Sequence, residues 1–532
     1  MNWRNGNMAS KHKSKLNNNM SPRIVNIVVV LMLVVLSLAI LGNSMTKLLV
    51  RDEQMYCTGG VLLAQGKMIY RDFSYSSQLP YHPLLYAILF KGLNTTRYLL
   101  VGRLVSVVSD VLVMLCIVAV YRRAFGSFRI WGALLGLCAA ILYVYNPAVD
   151  YANGYAWNND VVVFCVALSF LLFTKIDLNR KARYWRVAAI GALLTMATFM
   201  RMTTILAELL FLLALLSLPA KSIKERAKTI LPFLIAAAVV SIYPVFVLAQ
   251  APKASFINIF RIHMLNSEWL RQIGFVHDKF RLAFTYLTLP GYFVLFIIAA
   301  YLILALILLD RKLKIPIGRS SLLAGFLAAA FFAIALSLPT IWRQYLAPPV
   351  PFLILSFAYP LALLRERSGR KLSKVPFTVG VALMGFGVLV GVVTDASIMG
   401  RIPACFAPKT WAPMKVHRIA TDIAEKTKEP KLILTTAPLF ALEGGCEIYT
   451  ELSAGVFAYR IGNLMSKEDR RITHTVGPQM LGELVRQSPP SAIIVGVEPP
   501  YFSRLEEPLE SLAKADWERK DYENGPTVYF RP

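Results

Sequence analysis

Uncharged apolar runs close to twenty residues long recur from one end of this 532-residue chain to the other. A helix of about 20 apolar residues is what crosses the ~30 Å hydrocarbon core of a bilayer. Composition agrees, with 56% of residues hydrophobic, 17% charged and a mean hydropathy of +0.54. A soluble chain of this length needs far more polar residues to cover its surface. The sequence therefore describes a polytopic α-helical membrane protein.

A formal charge of +26 invites a nucleic-acid reading. The basic residues, however, fall in short runs between apolar spans: "YRRAFGSFR", "KIDLNRKARYWR", "KSIKERAK", "DRKLKIPIGR" and "RERSGRKLSK". Cytoplasmic loops look like this under the positive-inside rule. No nucleic-acid recognition fold accompanies the charge.

Spans are expected near 24–44, 98–121, 131–148, 159–175, 186–200, 202–219, 229–249, 288–309, 321–340, 345–364 and 375–394. The fifth and sixth come from one stretch, "WRVAAIGALLTMATFMRMTTILAELLFLLALLSL". At about 33 residues it makes roughly 50 Å of helix, too long for one crossing. Both flanks are basic, so a hairpin breaking near Arg201 satisfies length and charge together. Eleven spans put the basic tail 1–23 in the cytoplasm, as expected for a multi-pass inner-membrane protein. They put loop 44–97, "DYANGYAWNND", the turn at Arg201, loop 250–287, "PTIWRQYL" and everything after 394 outside. Residues 24–394 form the transmembrane domain of this reading. From 395 to 532, "KLILTTA", "SAIIVGV" and "TVYF" read as short strands among amphipathic pieces, predicting a small extracytoplasmic α/β domain. Cys405 and Cys446 lie in that region, where an oxidising compartment permits a disulfide.

The unusual polar residues gather on one side: Asp52, Glu53, Asp72, His82, Asp150, Asp160, Arg201, Arg343 and Tyr345 all fall in outer loops or at outer span ends. Ionisable groups at a membrane face are costly and usually line a cavity. Each also has a plainer reading. Asp52 can cap a helix beginning at "DEQMYCTGG", Arg201 can snorkel, and Asp160 can cap the span that follows it.

Their order resembles a known family. "DEQMYCTGGVLLAQGKMIYRDFSYSSQLPYHPLLYAILFKGL", "RLVSV", "NPAVDYANGYAWNND", "GALLTMATFMRMTTIL" and "WRQYLAPPVPFLIL", across roughly residues 25–395, resemble the GT-C membrane glycosyltransferases. The branch is that of protein O-mannosyltransferases, aminoarabinose transferases and rhizobial lipopolysaccharide galacturonosyltransferases. The resemblance implies that Asp52, the outer-loop acid after the first span, is the catalytic carboxylate. Glu53 would support it or help to hold a divalent metal cation. Asp72, His82 and Asp160 would touch sugar, while Arg201, Arg343 and Tyr345 would bind the phosphate of a polyprenyl-phosphate-linked donor. In the family pattern Arg and Tyr are adjacent in the late block, whereas here Gln344 separates Arg343 from Tyr345. The acceptor is left open among lipid A, another glycan, a protein or a lipid. No nucleotide cofactor is expected, because the chain has neither a Gly-rich phosphate loop nor a Rossmann fingerprint. The alternative, a transporter or flippase of a lipid-linked saccharide, calls for repeat symmetry and charges at the bilayer midplane. The sequence has neither.

Overall fold

The computed structural model describes residues 21–275, 278–313, 318–337, 342–368 and 373–532. Most of the basic tail 1–23, and parts of the loops "DRKLKIPIGR", "RERSGRKLSK" and "PTIWRQYL", lie outside the described residues.

The chain begins with helix α1 (Pro22–Thr46), capped by the Ser21 side chain. A short extended link leads to α2 (Arg51–Ala64), and α3 (Tyr81–Gly92) follows. Next come α4 (Tyr98–Phe125), α5 (Arg129–Val144), α6 (Pro147–Ala152), α7 (Asn159–Thr174), α8 (Ala182–Thr198), α9 (Ile205–Leu216) and α10 (Ile223–Gln250). Short helices α11 (Pro252–Phe256), α12 (Ile262–Gln272) and α13 (Lys279–Leu287) lead to α14 (Pro290–Leu313), α15 (Arg319–Ser337), α16 (Pro349–Arg367) and α17 (Val375–Thr394).

Among the described residues seven helical stretches are long and apolar enough to cross a membrane: α1, α4, α10, α14 up to Leu309, α15, Arg343–Arg367 ending in α16, and α17. The other four expected spans fall on the shorter helices α5, α7, α8 and α9. The break expected near Arg201 is present. Thr195 and Thr198 of α8 donate to the Glu208 carboxylate of α9 at 2.5 and 2.7 Å. Residues 195 and 208 on one straight helix would lie about 20 Å apart, so the chain doubles back.

Proline fastens the start of α3 to this bundle. Pro244 lies inside α10 and has no N–H for the carbonyl four residues earlier, Val240. The Tyr81 hydroxyl donates to that carbonyl instead.

After α17 a five-stranded sheet forms from β1 (Leu432–Thr435), β2 (Glu447–Ile448), β3 (Ala492–Val495), β4 (Glu518–Asp521) and β5 (Thr527–Phe530), in the order β2-β1-β3-β5-β4. β1 pairs in parallel with β2 and β3, while β5 runs antiparallel to β3 and β4. The strands expected in "KLILTTA", "SAIIVGV" and "TVYF" are β1, β3 and β5. Cys405 and Cys446 are both free thiols, so the disulfide considered from sequence is not formed. Cys405 donates instead to the Leu38 carbonyl within α1.

The sheet region does not stand apart. Its Ile423, Ile433, Phe440, Ile494 and Val528 share one apolar core with Met55, Tyr56, Tyr75 and Phe90 of the loop after α1. Polar contacts seal the junction: Gln54 accepts from Leu439 N at 3.0 Å, and Glu443 accepts from Leu99 N at 2.7 Å.

Candidate active site at the start of the second helix

Asp52 and Glu53 sit in the first turn of α2, where carboxylates favour the helix dipole. Their environments are opposite. Glu53 reaches back to Val50 N at 3.2 Å, one half of a capping box. Arg103 of α4 grips it with two parallel bonds of 2.8 Å, and Ala156 N donates at 2.7 Å. Both side chains are fully buried. Arg103 spends its remaining donors on the carbonyls of Ser44 and Lys47, both at 2.7 Å, and Leu48 at 3.1 Å. Glu53 thus ties α2 to the end of α1, to α4 and to the 153–158 loop.

That geometry corrects the metal role expected of Glu53. Four donors occupy the roughly four lone-pair sites of a carboxylate, leaving none for a cation. Asp52 alone is one ligand, with Arg51 and Arg460 beside it. Among the described residues no three His, Cys, Asp or Glu side chains group as a metal site. The side chains at this position do not fit a divalent cation.

Asp52 faces the other way and is only half-buried. Burial raises its pKa to about 6, Glu53 adds to the rise, and Arg51 and Arg460 oppose it. Tyr56 stands one turn further along the same helix face. Arg201, in the turn between α8 and α9, lies over the Tyr345 ring at 5.1 Å, and its guanidinium donates to Asn159. Arg343 lies over Tyr286 at 5.0 Å and Tyr151 at 5.5 Å. The charges of Asp52 and Arg201 reach Tyr56 and Tyr345, and those of Asp52 and Arg343 reach Tyr151. One carboxylate and two arginines on aromatic platforms therefore share one end of the bundle. The inserted Gln344 sends Arg343 and Tyr345 to different partners.

Three predicted site residues do not join this group. Asp72 is held by Arg71 through two bonds of 2.9 and 2.8 Å and accepts from Met68 N at 2.7 Å. The Arg71 guanidinium keeps its carboxyl below the usual range, as expected for a turn on the surface. His82 is fully buried between Tyr56 and Tyr86, with ring centroids 4.9 and 4.3 Å away. Burial outweighs the nearby Trp157 backbone and lowers its pKa to about 3, so it is neutral packing behind Tyr56. Asp160 is 1% exposed and accepts from Gly154 N at 2.8 Å, closing a loop away from this group. Asp150, also among the outer-side acids, pairs with Arg401 at 2.6 Å.

Arg460, from the sheet region, was not identified from sequence. It is one arginine among many in a polar stretch, and no local pattern marks it. Arg103 did carry a signal, a lone charge within the apolar run "LLVGRLVSVVSDVLVM".

No family model and no curated protein matches this sequence. Solved structures do. A crystal structure of ArnT from Cupriavidus metallidurans bound to undecaprenyl phosphate matches with a TM-score of 0.60 at 15% identity, covering 96% of this chain and 98% of that one. An apo oligosaccharyltransferase from Archaeoglobus fulgidus matches with a TM-score of 0.50 at 12% identity, covering 89% of this chain and 69% of that one. At such identities the likeness is one of fold, and it runs nearly end to end in ArnT. The chain has the fold of these membrane transferases, the GT-C fold that its sequence motifs resemble.

Proposed function

We propose that this protein is an inverting membrane glycosyltransferase that moves a sugar from a polyprenyl-phosphate donor to an acceptor hydroxyl, with Asp52 as base. One observation carries the reading: the half-buried Asp52 carboxylate shares its end of the bundle with two arginines, Arg201 and Arg343, that form no ion pair among the described residues. Arginine suits a phosphate because its planar fork pairs two oxygens at once. The undecaprenyl phosphate bound in ArnT supports a lipid phosphate on this fold.

In this mechanism the acceptor O–H gives its proton to Asp52 as its oxygen bonds to the anomeric carbon. The carbon–oxygen bond to phosphate breaks, and its electron pair leaves with the lipid phosphate. Arg201 and Arg343 hold the charge that develops there. Attack from the face opposite the phosphate inverts the anomeric centre. Glu53 and Arg103 position the helix that presents Asp52, and Tyr345 and Tyr151 orient the two arginines. In the eleven-span reading, with the basic loops inside, this site faces the extracytoplasmic side. A polar glycan, lipid or protein acceptor meets the donor there while the polyprenyl tail stays in lipid.

Asp52→Asn tests the base. Asp52 lies inside the first turn of α2 and not at its N-cap, Val50, and Asn is nearly isosteric with it, so folding is preserved while the proton acceptor is lost. The variant should accumulate normally in the membrane while transfer falls about 10²–10⁴-fold. Near-normal transfer by a well-expressed variant would remove Asp52 from the chemistry.

A further inference from the structure

The dipeptide Arg-Asp occurs twice in the chain, at 51–52 and at 71–72. At the second place Arg71 turns onto its own neighbour and grips the Asp72 carboxylate with bonds of 2.9 and 2.8 Å. That grip is the main reason the Asp72 carboxyl lies below its usual range. At the first place the arginine turns away. Arg51 pairs at 3.2 Å with Glu498, which follows β3 in the sheet region, and lies over the Phe502 ring at 4.7 Å. Among the described residues no side chain forms an ion pair with Asp52.

The sheet region holds Glu498 in place for this. Its side chain is 4% exposed, and burial pushes its carboxyl up while Arg51 opposes the rise. The loop that carries it is clamped by Glu506, which accepts from the backbone N–H groups of Gly496, Val497 and Glu498 at 3.1, 3.2 and 3.2 Å. Arg460 stays over the rings of Trp269 at 5.2 Å and Phe457 at 5.1 Å, and its charge acts on Glu498 and Asp52 alike. Two arginines and two acids therefore balance here, and Glu498 decides how they pair. The other groups within reach of the Asp52 charge are Glu53 and Tyr56 of its own helix, Tyr151 under Arg343, and Tyr345 under Arg201.

A guanidinium bonded to a carboxylate favours its charged form and makes it a weaker base. We propose that Glu498 is a positioning residue: by holding Arg51 against the sheet region, it keeps Asp52 out of an Arg–Asp pair and leaves that carboxylate able to take the acceptor's proton. This inference rests on the transferase reading and makes the sheet region the part of the molecule that sets the strength of the base.

Infrared titration of the full chain in nanodiscs tests it, with the Asp52 carboxyl band identified as the one missing from Asp52→Asn. Wild type should titrate near 6. Glu498→Gln releases Arg51, and the midpoint should fall by about one pH unit or more. Glu498→Asp keeps the charge at shorter reach and should fall less. Arg51→Gln removes an opposing cation, so its midpoint should rise above that of wild type. In the Arg51→Gln background, Glu498→Gln should lose most of its effect, because that effect passes through Arg51. An unmoved midpoint in Glu498→Gln, or an equal fall with and without Arg51, overturns the proposal. Should Glu498→Gln fail to accumulate, the same two results are read on Glu498→Asp. Transfer in membranes that hold the native donor and acceptor should decline on the acid side at the pH of each midpoint. Midpoints that move as stated while transfer ignores them uphold the grip of Glu498 on Arg51 and count instead against Asp52 as base.

Discussion

Two neighbouring carboxylates in one helical turn meet opposite surroundings. Asp52 keeps an open side, and its pKa of about 6 makes it a carboxylate at neutral pH that still accepts a proton readily. Transfer should therefore decline as pH falls through about 6, and a pH–rate profile of the full chain checks this. A flat profile from pH 5 to 8 would argue against Asp52 as base. The same shift has a stability consequence. The folded pKa lies above the ordinary value of about 3.9, so the folded state holds the proton more tightly. Stability is then lost as pH rises through that window. Asp52→Asn should unfold no earlier than wild type at pH 7. Glu53 is the reverse case. Glu53→Gln leaves Arg103 charged and buried without its partner, a loss of about 3–5 kcal/mol. Thermal unfolding should show that loss, with less protein in the membrane and little change in the activity of what remains. Arg343→Lys keeps charge but gives up the fork and the stacking on Tyr286 and Tyr151, so donor affinity should fall about tenfold. Unchanged donor affinity would leave Arg201 as the phosphate ligand.

At the scale of elements, the hairpin of α8 and α9 shows what a sequence states openly. A stretch too long for one crossing and basic at both ends must double back, and Arg201 ends up at the turn. The strands β1, β3 and β5 were legible for a similar reason, since short apolar runs between polar turns have few other uses. The two-residue β2 and the charged β4, "ERKD", were not, because neither has an apolar pattern and each depends on its neighbour for pairing. The candidate site was half legible as an arrangement of side chains. Asp52, Arg201, Arg343 and Tyr345 announce themselves as charges and a tyrosine at span ends. The roles of Glu53, Asp72, His82 and Asp160 were not readable, because residue type does not reveal whether a side chain turns toward the cavity or into the packing. Only the partners decide it: Arg103 for Glu53, Arg71 for Asp72, two tyrosines for His82 and the Gly154 amide for Asp160. Arg460 depends on a contact across about four hundred residues of chain, which no local pattern encodes.

For the whole molecule, the sheet region and the loop after α1 share a core, so whatever the sheet region contributes is held rigidly against Asp52. Reporter tags at 222–226 and after residue 400 should lie on opposite faces of the membrane. The same face for both would break the eleven-span arrangement and take Arg201 away from the outer side. The central claim is that this fold transfers a sugar from a lipid phosphate. Mass spectrometry of envelope glycans and lipids from a deletion strain tests it most directly, with the strain complemented in parallel by wild type or by Asp52→Asn. The account predicts that one sugar disappears from its acceptor, that its lipid-linked donor accumulates, and that wild type alone restores the pattern. An unaltered set of glycans, or full restoration by an equal amount of Asp52→Asn, would contradict it.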